Sequence, residues 1–191
     1  MHVVQALVSL GIGGSEMVAV EITEHLCAQG HKVTVVAADG PLANRVDAAG
    51  AAFLNWPIGR KRLATLRYIR RLRSWVLDNQ PDIIHVHSRL PAWIVYLALR
   101  KIPANKRPVL ITSMHGQYSV SAYSAVMAKG DYVIAVSNHI REYTLENYLP
   151  PESPQLVTIY GGTSREDFPY GYKPSREWFQ ATFSEFPELE N

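Results

Sequence analysis

Seven short apolar runs, most of them rich in β-branched residues, recur along the chain, at 2–8, 32–38, 52–55, 83–87, 109–113, 132–136 and 156–160. Each is separated from the next by a stretch long enough to hold a helix. Several runs are apolar on both faces, as in Val33, Val35 and Val36 or in Val133, Ile134, Ala135 and Val136. A strand of that kind belongs in a parallel sheet with helices on both sides, because both of its faces must be buried. The helix-length segments fall at 15–29, 42–49, 61–79, 91–101, 121–129 and 138–147. Such strict alternation predicts a doubly wound, mainly parallel, Rossmann-like α/β sheet.

Composition narrows the class further. At 191 residues the chain suits one domain with a short appendage and not two full domains. With 47% hydrophobic and 19% charged residues it can bury a core, which excludes disorder and coiled coil. Cys27 stands alone, which excludes a disulfide framework and a multi-cysteine zinc site; beside the apolar stripe of the first helix it reads as a small hydrophobe. The longest apolar run, 92–99, is far short of the ~20 residues that cross a bilayer, and no Lys or Arg precedes Lys32, so the N-terminus does not read as a signal peptide. The expectation is a soluble, cytoplasmic protein.

After Phe168 the alternation stops. Pro169, Gly171 and Pro174 interrupt it, and a helix is predicted at 175–186 carrying Trp178, Phe179, Phe183 and Phe186. The expected division is therefore a domain at 1–168 followed by a linker and aromatic helix at 169–191. Four such aromatics left in water would be sticky, so the helix is expected to pack on the domain or to drive self-association.

Local signals mark where chemistry could sit. The first run leads into Gly11-Ile12-Gly13-Gly14-Ser15-Glu16 and then a helix, a turn in which backbone amides can approach an anion such as a phosphate. Ser15 is placed as the N-cap, Gly30 as the closing glycine, and Val18, Ile22 and Leu26 as the core stripe. A dinucleotide fingerprint needs a third glycine where Glu16 stands, so an NAD-dependent oxidoreductase with Asp39 on the ribose is the weaker alternative. At the end of the fourth run, His85 and His87 point the same way along a strand. With His115 they could be offered as zinc ligands, yet no carboxylate is placed to join them. A polar crevice lined by His87, Ser88 and Arg89 fits better. His115 and Gly116 end the fifth run, Ser137 and Asn138 follow the sixth, and Gly161, Gly162 and Thr163 follow the seventh. Glycines, hydroxyls and histidines thus gather on one rim.

The segment 60–73 concentrates Arg60, Lys61, Arg62, Arg67, Arg70, Arg71 and Arg73 around an apolar stripe of Leu63, Leu66, Ile69, Leu72 and Val76. A solvated helix face is the simplest account. Local positive charge also suits an anionic membrane surface, with Arg67, Arg70, Arg71 and Arg73 as contacts. Nucleic acid is excluded, because no aromatics interleave these charges and the net charge is only +2.

In this order the motifs resemble the N-terminal half of family-4, GT-B-type glycosyltransferases. The resemblance rests on Gly13-Gly14-Ser15-Glu16, Gly30-His31-Lys32-Val33-Thr34-Val35-Val36 and Asp82-Ile83-Ile84-His85-Val86-His87-Ser88. It continues through Thr112–Gly116, Ala135-Val136-Ser137 and Val157–Thr163 to Phe168, covering residues 3–168. It implies two Rossmann-like domains facing a cleft, with retaining transfer from a nucleotide-sugar donor, the N-terminal domain binding the acceptor. By position, Gly13 and Gly14 would approach the donor phosphates and His115 the transferred sugar. His87 and Ser88 would line the acceptor side, with Ser15, Glu16, Arg89, Gly116 and Asn138 around them and Ser137 and Gly162 bordering the cleft. No metal or other cofactor is implied. Gly161 stands where the family usually has asparagine, and the donor motif of the second domain lies beyond this sequence.

The expected function is transfer of a sugar to a glycan or lipid-linked acceptor, as in polysaccharide or lipopolysaccharide biosynthesis. This chain would be the acceptor-side half, inactive alone and peripheral at the inner face of the cytoplasmic membrane. The alternative is a non-catalytic carbohydrate- or nucleotide-binding module of the same fold.

Overall fold

A computed structural model describes residues 1–153, 155–162 and 169–189. Thr163 and the expected boundary at Phe168 lie outside the described residues. The chain forms two compact units, Met1–Tyr160 and Gly161–Asn191.

The first unit is a seven-stranded sheet: β1 (His2–Ser9), β2 (Lys32–Ala38), β3 (Ala52–Asn55), β4 (Ile83–Val86), β5 (Val109–Met114), β6 (Tyr132–Ala135) and β7 (Leu156–Thr158). Their order is β3-β2-β1-β4-β5-β6-β7, and every neighbouring pair is parallel. The chain runs outward from β1 to β3, returns to β4 and continues outward to β7. That is the doubly wound plan, with its switch point between β1 and β4.

Five helices connect these strands: α1 (Gly14–Ala28), α2 (Ala43–Ala48), α3 (Arg67–Asn79), α4 (Arg89–Leu99) and α5 (Asn138–Asn147). On one face α1 and α2 bury Ala19, Val20 and Val46 against Leu7, Val33, Val35 and Ala37. On the other, Leu72 and Val76 of α3, Ile94 and Val95 of α4 and Ile140 of α5 pack on Val4, Ala6, Ile84, Val86, Met114 and Val133. Each such side chain removed from water contributes roughly 1.5–3 kcal/mol.

Several local expectations need correction. The N-cap of α1 is Gly13, and Ser15 lies inside the helix, its hydroxyl donating to Glu16 Oε2 at 2.7 Å. The buried stripe of α1 is Ala19, Val20 and Thr23, whereas Val18, Ile22 and Leu26 are only half-buried. A close approach of helix to sheet selects small residues there. Gly30 closes α1 as expected: its φ is +76°, its N–H donates to the Cys27 carbonyl at 2.9 Å, and the His31 N–H donates to Leu26 at 3.0 Å. Cys27 is half-buried, and burial raises its thiol pKa, as befits an unreactive cysteine.

The basic helix begins at Arg67, after a 3-10 turn at Leu63–Leu66. Its buried positions are Tyr68, Leu72 and Val76, which leaves Leu63 and Leu66 exposed at 88% and 52%. The stripe read through Leu63 and Leu66 therefore fails, because the turn that carries them has a different period from the helix. The helix expected at 121–129 is only a 3-10 turn at Ser124–Ala128. Ser121 Oγ accepts the Ser124 N–H at 3.2 Å, a local bond that competes with a helical first turn.

In the second unit α6 (Arg176–Glu185) is capped by Ser175, whose Oγ accepts the Trp178 N–H at 3.1 Å. Trp178 meets Phe179 edge-on at 5.2 Å, and Phe179 lies 5.7 Å from Phe183. Gly162 stands at the start of this unit.

Candidate functional site

Ligands of open parallel sheets bind beyond the carboxyl ends of the strands, at the switch point. Here the ends of β1 and β4 flank that point. The end of β1 delivers the turn into α1, and the end of β4 delivers His87, Ser88 and Arg89.

At the start of α1 no side chain caps the helix. A Cβ on Gly13 would stand 2.6 Å from Glu16 Oε2, so only glycine lets the Glu16 carboxylate fold back over the first turn. The positive end of the helix dipole favours an anion in that place. Glu16 is the anion held there by the chain itself, and an incoming phosphate must compete with it. A Cβ on Gly14 would meet nothing within 4 Å, so its backbone is open to approach.

Beside this turn runs a chain of buried polar groups. His87 lies between Gln5 and His115: its Nε2 is 2.7 Å from Gln5 Oε1, and its Nδ1 is 3.0 Å from His115 Nε2. An amide oxygen can only accept, so the proton of neutral His87 sits on Nε2. Nδ1 then accepts from His115 Nε2–H, which leaves His115 with a lone pair on Nδ1. Gln5 thereby sets the tautomer of a histidine two bonds away along the chain. His85 stacks obliquely on His87, with ring centres 4.1 Å apart, and its Nε2 is 2.7 Å from Ser113 Oγ.

All three rings are held neutral. Burial pushes the His85 pKa down to about 3, with further repulsion from His115. Burial likewise drives His87 well below its ordinary range, aided by His85 and His115. His115 is lowered by burial, partly offset by the Glu16 carboxylate. Among the described residues no group of three or more His, Cys, Asp or Glu side chains is arranged to hold a metal ion.

Two buried atoms in this region have no hydrogen-bond partner within the protein, Gln5 Nε2 and Ser88 Oγ. An unmet buried polar atom costs about 1–3 kcal/mol, so a water or a ligand group that bonded it would be favoured there. Ser88 is the N-cap position of α4, yet its hydroxyl makes no cap bond. Arg89 lies over the rings of Tyr118 and Tyr123, at 4.7 and 5.5 Å, and donates to Ser124 Oγ at 3.3 Å. Gly116, half-buried, follows His115 in the same loop. Ser137 caps α5, accepting the Ile140 N–H at 3.2 Å, and Asn138 is the exposed first residue of that helix.

The sequence chain of candidates is thus gathered in part. Gly13, Gly14, Glu16, His87, Ser88 and His115 share the switch point, whereas Ser137 has a capping role two strands away. Gln5, Tyr118, Tyr123 and Ser124 went unnoticed in the sequence. The four arginines proposed for membrane contact are mostly engaged at home. Arg67 lies 5.1 Å from the Tyr68 ring, Arg71 lies 4.3 Å from the Trp56 ring, and Arg73 Nε donates to the Ala98 carbonyl at 3.3 Å. Arg70 is exposed.

The sequence profile of Glycosyltransferase Family 4 matches residues 12–166. The chain belongs to this family. No curated protein sequence matches it. Solved structures share the family-4 domain's fold. A glycosyltransferase from Rickettsia africae ESF-5 superposes with a TM-score of 0.75 at 22% identity, over 97% of this chain and 49% of that one. Sucrose-phosphate synthase from Thermosynechococcus elongatus gives 0.69 at 16% identity, over 95% and 53%. Anabaena HepE, solved with UDP and glucose, gives 0.67 at 15% identity, over 96% and 50%. The family-4 chain spans about half the length of these proteins. Among the described residues no helix is long and apolar enough to cross a membrane.

Proposed function

We propose that this family-4 domain is the acceptor-side half of a retaining glycosyltransferase, moving a sugar from a nucleotide-sugar donor to a glycan or lipid-linked acceptor in the cytoplasm. The observation that carries the proposal is the chain from Gln5 through His87 to His115. It fixes an accepting nitrogen of a neutral histidine at the switch point, beside a helix start able to bind phosphate. In this assignment the Gly13 and Gly14 amides meet the donor diphosphate, displacing the Glu16 carboxylate. His115 Nδ1 accepts a hydroxyl of the transferred sugar, and Ser88 Oγ and Arg89 face the acceptor. A second domain supplies the remaining donor contacts, with the linker and aromatic helix at 169–191 leading into it. The half-length match to the solved glycosyltransferases supports that division. So does the rim itself, where Ile12 and Val120 are 80% and 62% exposed.

The test is titration of the isotopically labelled chain with UDP and a panel of nucleotide sugars, read by amide NMR. Weak binding, on the order of millimolar, is expected to shift Gly13, Gly14 and His115. Glu16→Gln should tighten it several-fold by removing the competing charge. Shifts confined to other regions, or robust sugar transfer by this chain alone, would overturn the assignment.

A further inference from the structure

Two cavities adjoin at the loop between β3 and α3, and they differ in chemistry. One, of about 270 Å³, is floored by the apolar side chains of Leu66, Leu90 and Ile94 and walled by Tyr123. The other, of about 100 Å³, lies among Arg60, Arg62 and Arg67. Arg60, Arg62 and Thr65 border both.

The loop that carries these arginines is anchored. Ile58 is fully buried, and a Cβ on Gly59 would strike Val8 at 2.6 Å, so only glycine packs there against the end of β1. Thr65 Oγ1 donates to the Arg60 carbonyl at 2.6 Å. Neither Arg60 nor Arg62 joins the ion pair between Arg45 and Glu24, and no carboxylate lines either cavity. The apolar cavity borders the Arg89 clasp, since Leu90 follows Arg89 and Tyr123 is one of the rings beneath that guanidinium.

An arginine-lined hollow suits a phosphate, because the guanidinium fork matches phosphate oxygens. An apolar groove that shares its wall suits a hydrocarbon chain attached to that phosphate. We infer that these joined cavities bind a lipid phosphate as the acceptor, its anionic head among Arg60, Arg62 and Arg67 and the first part of its chain along Leu66, Leu90 and Tyr123. The inference rests on the acceptor-side assignment and narrows it from glycan or lipid-linked acceptor to an anionic lipid. Leu63, 88% exposed one residue beyond Arg62, then faces the membrane from which the lipid is drawn.

The experiment is a titration of the chain with n-alkyl phosphates of four, six, eight and ten carbons, each below its micelle concentration and read by amide NMR. Each seated methylene should tighten binding about 4-fold until the groove is filled, after which affinity levels off. Shifts should concentrate at Leu66, Leu90 and Tyr123. Octyl maltoside, with the tail but no charge, and inorganic phosphate, with the charge but no tail, should each bind at least 10-fold more weakly than octyl phosphate. Arg60→Ala with Arg62→Ala should lower every affinity while preserving the chain-length slope, and Leu66→Asp should abolish the slope. All three positions are exposed, so these variants keep the fold. A flat chain-length series, equal binding of octyl maltoside, or adsorption to anionic vesicles without shifts in the groove would each overturn the inference. Those results leave the nucleotide-sugar titration untouched, so failure here is separable from failure of the acceptor-side assignment.

Discussion

The two faces of the sheet solve different problems with the same strands. Beneath α3, α4 and α5 the inward positions of β1, β4, β5 and β6 are mostly apolar, namely Val4, Ala6, Ile84, Val86, Met114, Val133 and Ala135, and the buried Thr112 among them has its hydroxyl bonded to the Met127 carbonyl. On the α1 side of β1, β4 and β5 the corresponding positions are Gln5, His85 and Ser113, with His87 just beyond β4, all buried. One face secures the fold. The other accepts buried polar groups, one of them, Gln5, with an unmet atom, and uses the fold's stability to hold them in place. The polar groups thus gather on the face beside the switch point, where the proposed function places its chemistry.

Acid should affect the polar face far more than the apolar one. Below about 6.5 the unfolded chain protonates histidines that the folded chain keeps neutral, so stability falls as pH falls. The loss from His85 continues down to about pH 3, and His87, driven well below its ordinary range by burial, acts in the same direction. Urea unfolding across pH, compared with His87→Gln, should show the variant losing stability less steeply on acidification. Identical slopes would mean that His87 is not buried neutral.

A core truncation tests the apolar face. Ile94→Ala should cost about 2–5 kcal/mol, since the side chain is fully buried. The NMR signals of His115 should stay where they are, and a shift there would mean that the faces are not independent. Gln5→Leu tests the polar face in turn. It should cost about 1–3 kcal/mol and release the tautomer of His87, so that ¹⁵N signals of His115 report a mixture instead of a single Nε2–H form. An unchanged His115 tautomer would remove Gln5 from its positioning role. The smallest effect concerns the caps. Ser137→Ala should lower stability by about 1 kcal/mol through loss of the α5 cap, whereas Ser175→Ala, in the second unit, should leave the melting of the first unit unmoved.

These contrasts also explain what could be read from the sequence. All seven strands were legible to within two residues; the central ones, buried on both faces, leave β-branched runs, whereas the edge strand β3, half-buried at best, was marked by a short apolar pair, Phe53 and Leu54. The helix at 138–147 was legible for a similar reason, with Ser137 supplying an unambiguous cap. The α1 stripe was not. Val18, Ile22 and Leu26 are the larger side chains, but the helix lies so close to the sheet that Ala19 and Thr23 face inward. The histidines at 85, 87 and 115 were visible as candidates, yet the group that orients them was hidden in plain view. Gln5 interrupts the strand HVVQALVS at an inward-facing position, and a polar residue at core parity is the signal that would have exposed it. The clasp of Arg89 on Tyr118 and Tyr123 carried no such mark, since it joins residues about thirty positions apart with no shared periodicity.

The carboxyl end of β1 is shared by three loops. The glycine turn grows directly from it, the β2–α2 loop hangs on it through the Leu42 N–H to the Leu10 carbonyl at 3.0 Å, and the arginine loop leans on it where Gly59 meets Val8. A Cβ at Gly40 would stand 2.3 Å from the Leu10 carbonyl oxygen, so that contact has no slack. The end of β1 therefore works as a common bearing. On the assignment proposed above, strain set up where a phosphate displaces Glu16 would be shared, within a few residues, with the loop that holds Arg60 and Arg62, so that the proposed donor and acceptor sides would rest on one support.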